Sequence, residues 1–185
     1  MTIERVPNDE RYLPKAEISR RAMALGLDFF TVWLISSLLG SNSIGIQFTQ
    51  ILVFICSWLV FRVLVVYNNR GQSLGRWAFD TKVLEANDER TRIPDLLSLF
   101  KRESIIGVGA LLVSIALGNI WLNPTAILLV IPLIVDCGAA ISDKQYRLAL
   151  HDRYAGTMIV SSERGYSLDL KVKRIVESLG RNVRR

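Results

Sequence analysis

Almost all the charge in this 185-residue chain is gathered into three blocks, and the stretches between them are apolar over about the width of a membrane. Of 23 Lys and Arg, 22 fall within 1–21, 67–104 and 143–185, and Arg62 alone lies outside. Of 17 Asp and Glu, only Asp28 and Asp136 lie outside those blocks. Half the residues are hydrophobic, yet 22% are charged, close to the ~25% of a soluble domain. Both figures hold because the two kinds of residue are kept apart. The segregation predicts a multi-pass membrane protein and excludes a secreted disulfide scaffold, a nucleic-acid-binding domain and an ordinary soluble enzyme.

A span takes about 20 predominantly apolar residues. Four segments meet that length: 22–39, 48–67, 105–122 and 125–142. The first two are joined by the uncharged G-S-N-S-I-G-I-Q (40–47), the last two by Asn123 and Pro124, a turn that cannot continue a helix. Every Lys and Arg outside the spans lies on the side opposite these turns, so the positive-inside bias puts both termini in the cytoplasm. The first 21 residues carry both signs of charge, and the apolar run that follows is a full span containing an aspartate, so the first helix is expected to stay in the mature protein. The expected fold is an all-α membrane protein of four transmembrane helices as two hairpins, with a small cytoplasmic β element and amphipathic surface helices.

The β element is expected over 80–93 as a hairpin turning at Asn87 and Asp88, with 156–162 as a third strand. Pro94 opens a helix whose Ile93, Leu96, Leu97 and Phe100 recur at helical spacing, an amphipathic segment lying on the bilayer and leading into the third span. Leu168, Val172, Ile175, Val176 and Leu179 form the apolar face of a second such helix, flanked by Lys171, Lys173 and Arg174. With six basic and two acidic residues in 165–185, this tail reads equally as a helix for anionic headgroups and as a solvated one. The chain thus divides into a cytoplasmic segment 1–21, a transmembrane domain 22–162 and a basic tail 163–185.

Asp28, Arg62 and Asp136 are the ionisable groups inside the spans, each costing about 2.5–3.5 kcal/mol at mid-helix. Counted from the charged ends of their helices, all three lie roughly 8–9 Å deep, at about 1.5 Å per residue. An Asp–Arg–Asp cluster with one uncompensated negative charge would bind a small cation or carry a proton. The same residues also read as structural glue between hairpins, with Arg62 snorkelling to the interface. Ala110, Ser114 and Gly118 form a small-residue ridge for close helix packing, and Trp121 fits an interfacial anchor. Cys56 and Cys137, both in apolar runs, read as buried hydrophobes. His151 and Asp152 lack the other ligands of a metal site, no G-x-S-x-G occurs, and G-Q-S-L-G-R (71–76) lacks the G-K-[ST] ending of a phosphate loop. No catalytic residue, metal or cofactor is assigned.

Three blocks together resemble the RDD family of bacterial membrane proteins. R-R-A-M-A-L-G-L-D (20–28) is similar to its R-x-x-A-x-x-x-D entry into the first helix. G-Q-S-L-G-R-W-A-F-D-T-K-V-L (71–84) is similar to its G-x-[ST]-x-G-[KR] segment and strand, and L-H-D-R-Y-A-G-T-M-I-V (150–160) to its closing H-D-x-x-A-G-T-x-V-V. Asp80 departs from the small or apolar residue expected at its place. The resemblance assigns Arg21 as signature arginine with Asp28 and Asp152 as the two aspartates. Arg21 and Asp28, seven apart, share a helix face but lie too far apart to pair, whereas Asp152 is placed to latch onto Arg21. It implies transport, with sodium–proton exchange in some members, in a plasma or internal bacterial membrane. Two functions follow: cation- or proton-linked transport as a homo-oligomer, or an accessory or assembly subunit of a larger membrane complex.

Overall fold

The computed structural model describes residues 14–39, 48–86, 92–143 and 147–162, together with Ser167, Leu168, Leu170 and Val172. Three helices are long and apolar enough to cross a membrane: α1 (Ile18–Leu39), α2 (Phe48–Asn68) and, later in the chain, Pro124–Ser142. After α2 come the short helix α3 (Leu74–Ala78) and strand β1 (Thr81–Glu85). The third expected span, 105–122, falls on α4 (Leu96–Asn119) up to residue 119 and ends in a turn; α4 is not one of those three but a single helix of 24 residues. The separate surface helix expected from Pro94 is therefore the opening of α4. Asp95, one residue later, caps it by accepting the Ser98 amide at 2.8 Å. Leu96, Leu97 and Phe100 remain exposed there, while Leu99 turns into the core.

Asn123 caps the next helix, α5 (Pro124–Ser142), whose first turns are 3₁₀ and which becomes α-helical from Ile131. Helix α6 (Leu150–Ala155) and strand β2 (Thr157–Ser161) complete the described fold. One core cluster joins Val32 of α1, Phe54 and Trp58 of α2, and Ile106 and Ala110 of α4. A second joins Val63, Val66, Val83 and Leu99 beneath the sheet. The helices close on small residues that the periodic ridge did not flag. A Cβ on Gly107 would come within 2.8 Å of the Trp58 indole nitrogen, and one on Gly109 within 3.1 Å of Leu133. Of the expected ridge, Ala110 and Ser114 are buried and Gly118 is exposed.

β1 pairs antiparallel with β2, from Thr81 opposite Ser161 to Glu85 opposite Thr157. The 156–162 segment thus supplies the main partner, and Lys15 bridges to Val160 on its other edge. Of the expected hairpin across Asn87 and Asp88, the turn lies outside the described residues. Its arms meet through the Glu85 amide donating to the Arg92 carbonyl at 3.0 Å. Asp80, the departure from the family pattern, takes a left-handed φ of 55° before β1, a conformation aspartate tolerates. The tail helix also lies outside the described residues except at four positions, where Ser167 is buried and Leu168, Leu170 and Val172 are exposed. Cys56 is exposed on α2 and Cys137 half-buried, so neither is the buried hydrophobe expected.

Candidate functional site

Asp28 lies on the one buried face of α1, in register with Ala24, Val32 and Ser36. The chain leaving α2 is bent against it. Gly71 has φ +82°, and a side chain there would strike the Val83 carbonyl. Gly75 packs so closely on α1 that a Cβ would be driven into the Ala24 carbonyl. That approach lets the Gly75 amide donate to Asp28 Oδ1 at 2.7 Å and the Ser73 hydroxyl to Oδ2 at 2.6 Å. Ser73 Oγ also accepts the Arg76 amide at 3.3 Å, capping α3. The glycine and serine spacing of 71–76 is therefore a device for seating a short helix on the Asp28 carboxylate.

Arg62 reaches the same carboxylate from α2, paired through Nη1 with Asp28 Oδ2. It sits in a π-helical turn, Val60–Leu64, an insertion that re-aims side chains and recurs at functional sites. Its Nε bonds Glu103 Oε2 at 2.9 Å, and its guanidinium lies 5.2 Å from the Trp58 ring centre. Glu103 is the hub, its other oxygen accepting Arg76 Nη2 at 2.8 Å and Arg102 Nη1 at 2.5 Å. Arg102 in turn donates through Nε to Asp152 Oδ1 at 2.9 Å, and Arg21 Nη2 holds Asp152 Oδ2 at 2.5 Å. Thr157 Oγ1 donates to Asp152 Oδ1 at 3.2 Å, and Arg21 Nη1 donates to the Arg147 carbonyl.

Asp136 does not join Asp28 and Arg62. Helix α6 folds back so that the His151 amide donates to Asp136 Oδ1 at 2.9 Å and Nδ1 lies 2.5 Å from Oδ2. His151 Nε2 faces Arg102 Nη2 at 3.3 Å. The same Nε2 lies 3.6 Å from Asp152 Oδ1, so the ring stands between the two aspartates and Arg102. The expected three-residue cluster with a spare negative charge is thus a larger one, rich in arginine. Arg21, Arg62, Arg76 and Arg102 face Asp28, Glu103 and Asp152, and His151 joins Asp136 to them. Among the described residues no group of three or more His, Cys, Asp or Glu is arranged to hold a metal ion.

Burial raises the Asp152 carboxyl, but Arg102, His151 and Arg21 outweigh it and hold the group below the ordinary carboxylate range. Burial first, then the neighbouring Arg62 and Arg102, push the Arg76 guanidinium down to about 9, so it is charged at neutral pH. Removing one partner from a buried pair of this kind costs about 3–5 kcal/mol, because the other charge is left without compensation.

The sequence does not single out Arg76, Arg102 and Glu103, and it brings in His151 only as a metal ligand without the rest of a set. Glu103 stands two residues before the segment counted as the third span, and was set aside with the cytoplasmic charges. Its signal was the Arg102–Glu103 pair at the head of an apolar helix, which must find partners once the helix is packed. The latch suggested between Arg21 and Asp152 is present at 2.5 Å.

No curated protein and no solved structure matches the chain. The profile of the RDD family matches residues 15–156, most of its length. All three sequence blocks converge on one network: Arg21 and Asp28, then Ser73, Gly75 and Arg76, then His151 and Asp152. This chain belongs to the RDD family.

Proposed function

We propose that this protein is a cation- or proton-linked membrane transporter working as a homo-oligomer, with four spans paired as two hairpins and both termini in the cytoplasm. The observation that carries the reading is the buried His151–Asp136 couple, 2.5 Å across, at the charged end of α5. Histidine is the side chain that exchanges protons near neutral pH, and ionisable groups within spans mark ion pathways by default. Asp28 and Arg62 form a second, neutralised pair, and opening it would bare a carboxylate for a cation. The stretch of α4 from Ile105 to Gly118 carries no charge, which supports it as the fourth span. Helix α5 buries only Asp136 and Ala140, leaving a long apolar face for lipid or further copies.

Proteoliposome flux tests this. Asp136→Asn and Asp28→Asn are each expected to abolish cation-dependent proton flux, and His151→Gln to flatten its pH dependence. Folded variants with wild-type flux would sink the proposal. The second reading, an accessory or assembly subunit, draws on the same open face of α5 and on the basic tail. Native electrophoresis of solubilised membranes separates the two: a small multiple of 20.9 kDa favours transport by a self-contained oligomer. Co-migration with a much larger assembly, lost on deleting 163–185, favours the accessory role.

A further inference from the structure

Between α1, α3, α4 and α6 lies a cavity of about 80 Å³ whose wall is largely apolar and whose charged lining is entirely cationic or imidazole. Arg21, Arg62, Arg76, Arg102 and His151 line it, and no carboxylate does. The acidic partners Asp28, Glu103 and Asp152 bind these guanidiniums from outside the cavity, three carboxylates against four arginines. Asp136 is paired with His151 and not with an arginine. Arg76 is 2% exposed, and while its Nη2 holds Glu103, its Nη1 meets no acceptor among the described residues. A buried guanidinium nitrogen without an acceptor, on a residue that lines a partly open cavity, asks for an anion. The space is well below the about 300–1,000 Å³ of an organic-ligand pocket, which leaves room for one small oxyanion. Guanidinium forks match the oxygens of phosphate in paired, charge-assisted bonds, and a spherical halide does not reproduce that geometry.

We propose that this cavity is a binding site for a phosphate-type oxyanion, held by Arg76 Nη1 and the guanidiniums around it. The phosphate belongs either to a free ion or to the headgroup of a phospholipid. The inference does not rest on the transport reading, because it is tested by binding alone. Full-length protein in neutral detergent would be melted against increasing sodium phosphate and against sodium chloride at equal ionic strength. Phospholipid retained through purification would be weighed by native mass spectrometry.

A saturable stabilisation by phosphate that chloride does not give assigns a free ion. One tightly retained phospholipid per chain assigns a headgroup. In either case Arg76→Lys, which keeps the charge facing Glu103 and loses the fork, should weaken binding about tenfold or more, the scale of one charge-assisted hydrogen bond. Ala140→Leu, which fills the cavity from α5 without replacing an ion-pair partner, should remove it. Phosphate acting no differently from chloride with no phospholipid retained, or undiminished binding in Ala140→Leu, would overturn the proposal. Should Arg76→Lys fail to fold, the wild-type comparison and Ala140→Leu still decide.

Discussion

The two ends of the helical bundle are built from the same apolar helices and are held in different ways. At the charged end, α1, α2 and α4 meet α3 and α6 through buried ion pairs with named partners, and a small sheet ties the end together. At the turn end, Leu38, Leu39, Phe48 and Leu122 are exposed, and Trp121 is 94% exposed. There the molecule presents a surface that only lipid or another chain would cover. The contrast teaches where uniqueness resides. Apolar helices slide and rotate against one another at little cost, whereas a guanidinium that has to meet one carboxylate does not.

The largest effect is expected from the hub. Glu103→Ala would leave Arg62, Arg76 and Arg102 without their shared carboxylate, a loss of about 3–5 kcal/mol or more, read as a collapse in the melting midpoint of the solubilised protein. A midpoint within a few degrees of wild type would mean that the arginines are solvated and the two ends are alike. Next comes Gly75→Ala, where a methyl group meets the α1 backbone. Overpacking of about 1–3 kcal/mol should lift α3 off Asp28, and crosslinking between cysteines placed on α1 and α3 would report it.

A pH titration sharpens the comparison without disturbing packing. The Asp152 carboxyl is depressed in the folded state, so its stabilisation is complete above the ordinary carboxylate value near 3.8 and is lost as pH falls below it. Melting should hold steady from neutrality to about pH 4 and then fall, with Asp152→Asn less stable at pH 7 but flatter through the acid range. An equal slope in that variant would move the acid sensitivity elsewhere. The smallest effect belongs to the turn end. Trp121→Ala should change the midpoint by no more than about 0.5 kcal/mol equivalent, since the ring contacts almost nothing within the molecule.

Charge segregation made the membrane class and the helix positions plain, because hydropathy along a chain is a local property. The Arg21–Asp152 pair could also be reached, through the family pattern and the placing of both residues at one end. What the residues concealed was depth at the helix ends. Glu103 and Arg102 belong to the same layer as Asp28, yet a count of apolar residues stops short of them. Nor does any local signal announce the π-helical turn that aims Arg62, or that α6 folds back to give Asp136 a histidine. Asp136 was grouped with Arg62 on depth alone, and rotation about the helix axis decided otherwise. In the β element the expected third strand, 157–161, pairs with β1 along its whole length, delivered there by α6, while the expected hairpin turn lies outside the described residues.

The pairing pattern also has a bearing on how the chain is made. Asp28 and Arg62, 34 residues apart, both emerge with the first two helices, so those helices leave the ribosome with their buried charges already able to match. Asp136 has to wait only 15 residues for His151. Arg21 waits 131 residues for Asp152. Synthesis therefore runs from locally neutral pieces to one distant closing contact, and a ribosome stalled before residue 150 would leave behind a chain that is inserted but not yet fastened.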